Sequence, residues 1–189
     1  MILPIVAYGH PVLKKIAVDI DREYPELQTV IADMYETMYH TSGVGLAAPQ
    51  INKSIRLFVV DTNPFAPDYP DGKDFKQTFI NPQVISTFGD DVPFTEGCLS
   101  LPNLYEEVIR KDSVRIKYLD EQFVEHEEVF SGIRSRVIQH EYDHLQGHVH
   151  VDRINPIRKL LLNGKLRDIS EGKCDVDYRM IFPHKKKRR

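Results

Sequence analysis

Two histidines four residues apart, His140 and His144, stand in the run Gln139-His140-Glu141-Tyr142-Asp143-His144-Leu145-Gln146-Gly147. On a helix, positions i and i+4 lie one above the other on one face, so two imidazoles at this spacing can grip one metal ion. Glu141 is then placed to take a proton from water whose pKa the metal lowers, and metal plus base make a hydrolase. A catalytic centre of this kind needs a third protein ligand and one open position. Two residues compete for the third place. His150 extends the pattern to His-Glu-x-x-His-x-x-Gly-x-x-His, which matches the metzincin protease signature position for position. That reading also requires a Met-turn, for which Met180 is the one methionine downstream. Cys98, in Glu96-Gly97-Cys98-Leu99-Ser100, offers a thiolate, and mixed sulfur and nitrogen ligation has precedent at catalytic sites. An isolated cysteine is by default a small buried hydrophobe, but Gly97 beside it permits close backbone approach or unusual dihedrals. The non-enzymatic alternative is a structural zinc domain, which would close its site with four protein ligands and gain nothing from an ionisable Glu141.

These residues must be carried by elements, and the helix holding His140 is expected to start at Ser131 as N-cap and stop at Gly147. Ile133 and Val137 precede the histidines on the same stripe, and with Val44 they are expected to wall an apolar pocket. Residues 23–42 read as a helix, with Leu27, Val30, Ile31, Met34 and Met38 on one face and Gly43 as a left-handed cap. Gly43-Val44-Gly45-Leu46-Ala47-Ala48-Pro49-Gln50 is too rich in small residues for an ordinary strand, and Gly45 would let a peptide approach closely. A β run follows at 55–60, then a loop at 61–74 rich in Asp, Pro and Asn. Short strands are expected at 77–87, 104–110, 113–119 and 123–130, with Pro102 ending the extended stretch after Cys98. A further helix is expected from Ile157 to about Ile169. Short strands between separated helices indicate an α+β fold, with small antiparallel or mixed sheets.

The chain of 189 residues carries a formal net charge of −3 and is 41% hydrophobic, which fits one catalytic domain over residues 1–189 and excludes a global basic field for DNA. The apolar N-terminus is broken by Pro4 and reads as neither a signal peptide nor a membrane span. Two cysteines, Cys98 and Cys174, are too few for a disulfide framework and fit a reducing cytoplasm. Cys174 reads as a packed small residue. His10, His40, His126 and His148 have no partner at metal spacing and read as surface or capping histidines. Lys185, Lys186, Lys187, Arg188 and Arg189 form a basic tail, expected to be a flexible, solvated segment or a weak contact to ribosomal RNA.

Three segments, 43–50, 96–100 and 139–147, resemble the three signature motifs of the peptide deformylases, in the family's order. Together they are far more specific than His-Glu-x-x-His alone. The resemblance implies an α+β fold with a central metal-binding helix, and removal of the N-formyl group from nascent formyl-methionyl polypeptides with release of formate. It implies Cys98, His140 and His144 as ligands of one ion, with Glu141 as general base and then general acid. Gln50 and the backbone N–H of Leu99 would stabilise the oxyanion. It points to Fe²⁺ in the cell, with Zn²⁺, Ni²⁺ or Co²⁺ as substitutes, since imidazole and thiolate accept all of them.

Overall fold

The computed structural model describes residues 1–183; the basic tail from Lys185 to Arg189 lies outside the described residues. In chain order come β1 (Ile5–Val6), α1 (Leu27–His40), β2 (Gly45–Ala47), β3 (Leu57–Asp61), β4 (Lys76–Cys98), β5 (Leu101–Leu119), β6 (Glu125–Ser131), α2 (Gly132–Leu145), α3 (Pro156–Leu161), α4 (Asn163–Ser170) and β7 (Met180–Ile181). β2 to β6 form one antiparallel sheet in sequence order, and β1 pairs in parallel with β7. Among the described residues, no helix is long and apolar enough to cross a membrane.

β3 explains how the layers meet. Side chains alternate along a strand, and here both faces are covered. Leu57 and Val59 pack into a core with Val30, Ile31, Met34 and Met38 of α1, whereas Phe58 and Val60 pack with Val137, Ile138 and Leu145 of α2. The uninterrupted apolar run Leu57-Phe58-Val59-Val60 is therefore what a strand between two helices requires. The stripe expected on α1 is buried as expected.

The expected separate strands at 77–87 and 104–110 with 113–119 are instead parts of two long ones. β4 and β5 pair from Ile80 with Leu119 down to Cys98 with Leu101. Pro82 and Gly89 each fall at a register shift, between Ile80 and Gln83 and between Phe88 and Asp91. Bulges absorb such residues without ending the strand. Pro102, expected to end an extended stretch, is the second residue of β5. Gly45–Ala47, expected not to be an ordinary strand, does pair with β3, though over three residues only.

Helix ends differ in similar ways. α1 starts at Leu27 rather than near 23, after Pro25 and after Glu26 in a left-handed conformation with φ 55°. At its other end the left-handed residue is Ser42 (φ 54°), not Gly43. Ser42 N–H donates to the Tyr39 carbonyl and Gly43 N–H to that of Met38, the two bonds of a Schellman cap. Gly43 serves packing instead, since a Cβ there would lie 3.1 Å from Leu99. The single helix expected over 157–169 is broken at Leu162 into α3 and α4.

Candidate metal centre and cleft

α2 must enter the core with its first turn satisfied, and the side chain that does this is not Ser131. Ser131 occupies the N-cap position but makes no capping bond. Asp71, from the loop before β4, accepts the Ile133 N–H at 2.8 Å. At the far end Gly147 (φ 77°) terminates the helix as expected, and a Cβ there would meet the Lys14 backbone carbon at 2.9 Å.

Pinned at both ends, α2 presents His140 and His144 beside the tip of the β4–β5 hairpin, where Cys98 sits. One ligand atom from each of Cys98, His140 and His144 lies within 4.8 Å of the others. Cys98 Sγ is 3.4 Å from His144 Nε2. Two imidazoles and a thiol at this separation form a donor set suited to a borderline-soft divalent metal; Cys98 and His140 line the adjoining cleft and His144 is buried behind them, and three protein ligands leave a fourth position for water. The residues present therefore fit such an ion. His150 does not join the cluster. It is buried, and its ring stacks on that of His140 with centroids 6.1 Å apart. Met180 lies in β7, paired with Ile5, rather than in a turn beneath the site.

The cleft beside the cluster has a volume of about 780 Å³ and is lined by Val44, Gly45, Gln50, Leu99, Val137 and Glu141 among others. Ile133 is not among its lining residues; it is buried one turn away, beneath Gly72. Gln50 is almost fully buried. Its Oε1 accepts the Ala47 N–H at 2.8 Å, which turns Nε2 towards Cys98 Sγ at 3.5 Å and Ser100 Oγ at 3.4 Å. Glu141 is buried beside Gly45, and burial pushes its carboxyl up to about 7. Its Oε2 has no protein partner, so the site holds an acceptor ready for a ligand proton.

A buried ionic network behind the centre was not foreseen. His140 Nδ1 contacts Glu96 Oε2 at 2.8 Å, which orients the ring and leaves Nε2 for the centre. Glu96 in turn accepts from Arg110 at 2.7 and 3.0 Å and from Arg136 at 3.0 Å, and Arg110 reaches Asp143 at 2.8 Å. Burial opposes ionisation of Glu96, but the bonds from His140 and Arg110 outweigh it and hold the carboxyl far below its ordinary range. A signal for this network exists in the sequence. Glu106 and Arg110 share strand parity with the buried Leu104 and Val108, so two charges stand on the inward face of β5. His10 caps a 3-10 turn by accepting the Val12 N–H, and His126 pairs with Asp120, so neither belongs to the centre.

A family model described as polypeptide deformylase matches residues 2–160. The chain is 50% identical to the peptide deformylase of Flavobacterium johnsoniae and 47% identical to that of Christiangramia forsetii, each covering 100% of both chains. The structure is similar to the crystal structure of a peptide deformylase from Legionella pneumophila, with a TM-score of 0.79 at 36% identity over 92% of this chain and 98% of that one. The corresponding protein of Thermotoga maritima gives a TM-score of 0.74 at 36% identity, over 82% of this chain and 99% of that one.

Proposed function

The chain belongs to the peptide deformylase family, metal-dependent enzymes that remove the N-formyl group from nascent polypeptides, and on that premise we propose which of its residues do the work. Cys98, His140 and His144 hold one divalent ion, and the full chain acts as one catalytic domain. The observation that carries this assignment is the grouping of the three ligand atoms beside a cleft that Cys98, His140, Glu141 and Gln50 line.

An ion held by Cys98, His140 and His144 would supply a lowered water pKa, from 15.7 towards about 7, and a polarised carbonyl. Glu141 accepts the proton of the attacking water as its oxygen bonds to the formyl carbon. The C–N bond then breaks, and Glu141 returns the proton to the departing nitrogen, which cannot leave as an amide anion. The products are formate and a free α-amine. Gln50 Nε2 and the Leu99 N–H donate to the oxygen that carries negative charge between these steps, a contribution worth about 2.7–4 kcal/mol per donor. Val44, Gly45 and Val137 receive the methionine side chain and the first peptide bond; Ile133 supports Val137 from behind. The ion in the cell is Fe²⁺, replaceable by Zn²⁺, Ni²⁺ or Co²⁺, and the compartment is the cytoplasm. The Cys-His-His donor set supports a divalent ion of this group, the choice of Fe²⁺ rests on the family resemblance, and the bacterial relatives support the compartment.

The test is formate release from a formyl-methionyl peptide under anaerobic conditions, alongside metal analysis of each variant. Glu141→Ala should lower kcat by at least about 100-fold while retaining metal, whereas Cys98→Ala should lose the metal and His150→Ala keep it. Metal lost from His150→Ala and kept by Cys98→Ala would overturn the ligand set. The basic tail is proposed to contact ribosomal RNA. Removing residues 185–189 should then weaken ribosome binding more at low salt than at high; identical binding at every salt concentration would refute that contact.

A further inference from the structure

The turn that carries Cys98 into the cleft is held from far away in the chain. β4 and β5 pair down to Cys98 and Leu101, so Leu99 and Ser100 form the tip. The Leu99 carbonyl accepts the Tyr178 hydroxyl at 2.8 Å, and the Ser100 carbonyl accepts the Tyr8 N–H at 2.8 Å. The two donors arrive together. Tyr8 follows β1 and Tyr178 precedes β7, and these strands are joined by Ile5 N–H to the Arg179 carbonyl and Ala7 N–H to the Ile181 carbonyl. Asn103 Nδ2, donating to the Asp175 carbonyl at 2.9 Å, ties the segment before Tyr178 to β5. Residues 175–178 also form one wall of the cleft.

We propose that Tyr178 is a positioning residue for deformylation, fixing through the Leu99 carbonyl the turn that presents the Cys98 thiol and the Leu99 N–H. It lies beyond the 2–160 segment matched by the family model. The inference rests on the function proposed above. A two-residue hairpin tip can tilt its peptide planes at small cost, and a tilt displaces both the sulfur before it and the donor within it. Oxyanion donors act only when already aimed at the developing charge. The side-chain bond from Tyr178 supplies that aim, with the Tyr8 N–H fixing the next carbonyl. Burial pushes the Tyr178 hydroxyl above its ordinary range, so it remains a donor across the working pH range.

Tyr178→Phe removes the hydroxyl and keeps the ring. In the metal-loaded variant kcat for a formyl-methionyl peptide should fall about three- to tenfold, the range of one hydrogen bond, while KM stays within about twofold because the pocket walls are intact. In the metal-free variant the Leu99 and Ser100 amides should exchange with deuterium about three- to tenfold faster than in wild type. If Tyr178→Phe does not fold, Asn103→Gly replaces it: it releases the Asp175 carbonyl, and glycine suits the positive φ of 57° at that position. It should then show the same two changes. Either reading staying at the wild-type level in a folded variant overturns the proposal. A wild-type protein that releases no formate overturns the functional reading instead, and the exchange comparison then stands alone as the test of the clamp.

Discussion

Gly45 determines where Glu141 can sit. A Cβ on Gly45 would lie 2.7 Å from Glu141 Cδ, closer than real Cβ atoms approach. In the sequence this glycine suggests room for a substrate backbone; in the structure its missing side chain also leaves room for the Glu141 carboxylate. Gly45→Ala should therefore displace Glu141, and since misplacement by about 1 Å can cost 100-fold, kcat should fall on that order with metal content unchanged. Steady-state formate release together with metal analysis checks this, and an unchanged kcat would mean that Glu141 relaxes freely. The charges behind the centre act in a different way. A buried pair such as Glu96 and Arg110 is weak evidence for stability, because desolvation offsets attraction. Its geometric effect is clearer: a carboxylate fixed by two guanidinium groups holds His140 Nδ1 and so fixes the ring. Glu96 stood within a recognised segment, but its own function depended on Arg110 and Arg136, which no local pattern connects to it.

Elements explain why some boundaries were legible and others were not. The α1 stripe obeys a period set by the helix itself, so its buried face could be read directly. The start of α2 could not, because its cap comes from Asp71, some sixty residues earlier in the chain. Losing a capping carboxylate costs about 1 kcal/mol, so Asp71→Ala should lower the urea-unfolding free energy by about that amount, with Ser131→Ala near neutral. Equal effects from the two would return the cap to Ser131. The full length of the hairpin is hidden in the sequence for a related reason. Gly89 and Pro93 are ordinarily strand breakers, and only the partner strand reveals that a bulge accommodates Gly89 while Pro93 pairs opposite Ile109. The break between α3 and α4 at Leu162 does have a local signal, since the poor helix formers Asn163 and Gly164 follow it directly.

At the scale of the molecule, the three segments that resembled a family meet at one cleft, as a shared centre demands. What residue spacing left open was the third ligand. His150 is nearer in sequence and fits a known pattern, while Cys98 is over forty positions upstream. Sequence distance is a poor guide here because the hairpin returns Cys98 to the face of α2, and the short turn after Gly147 stacks His150 on His140. The pairing of β1 with β7 has a consequence for how the molecule comes into being. Ile5 can find Met180 only after roughly 175 further residues have been made, about 9–35 s at ordinary synthesis rates. From the moment Ser100 is made until Tyr178 follows, the Leu99–Ser100 tip lacks the hydroxyl that holds the Leu99 carbonyl. An enzyme whose substrates are chains still being synthesised thus completes this pairing only after Met180 has itself been made.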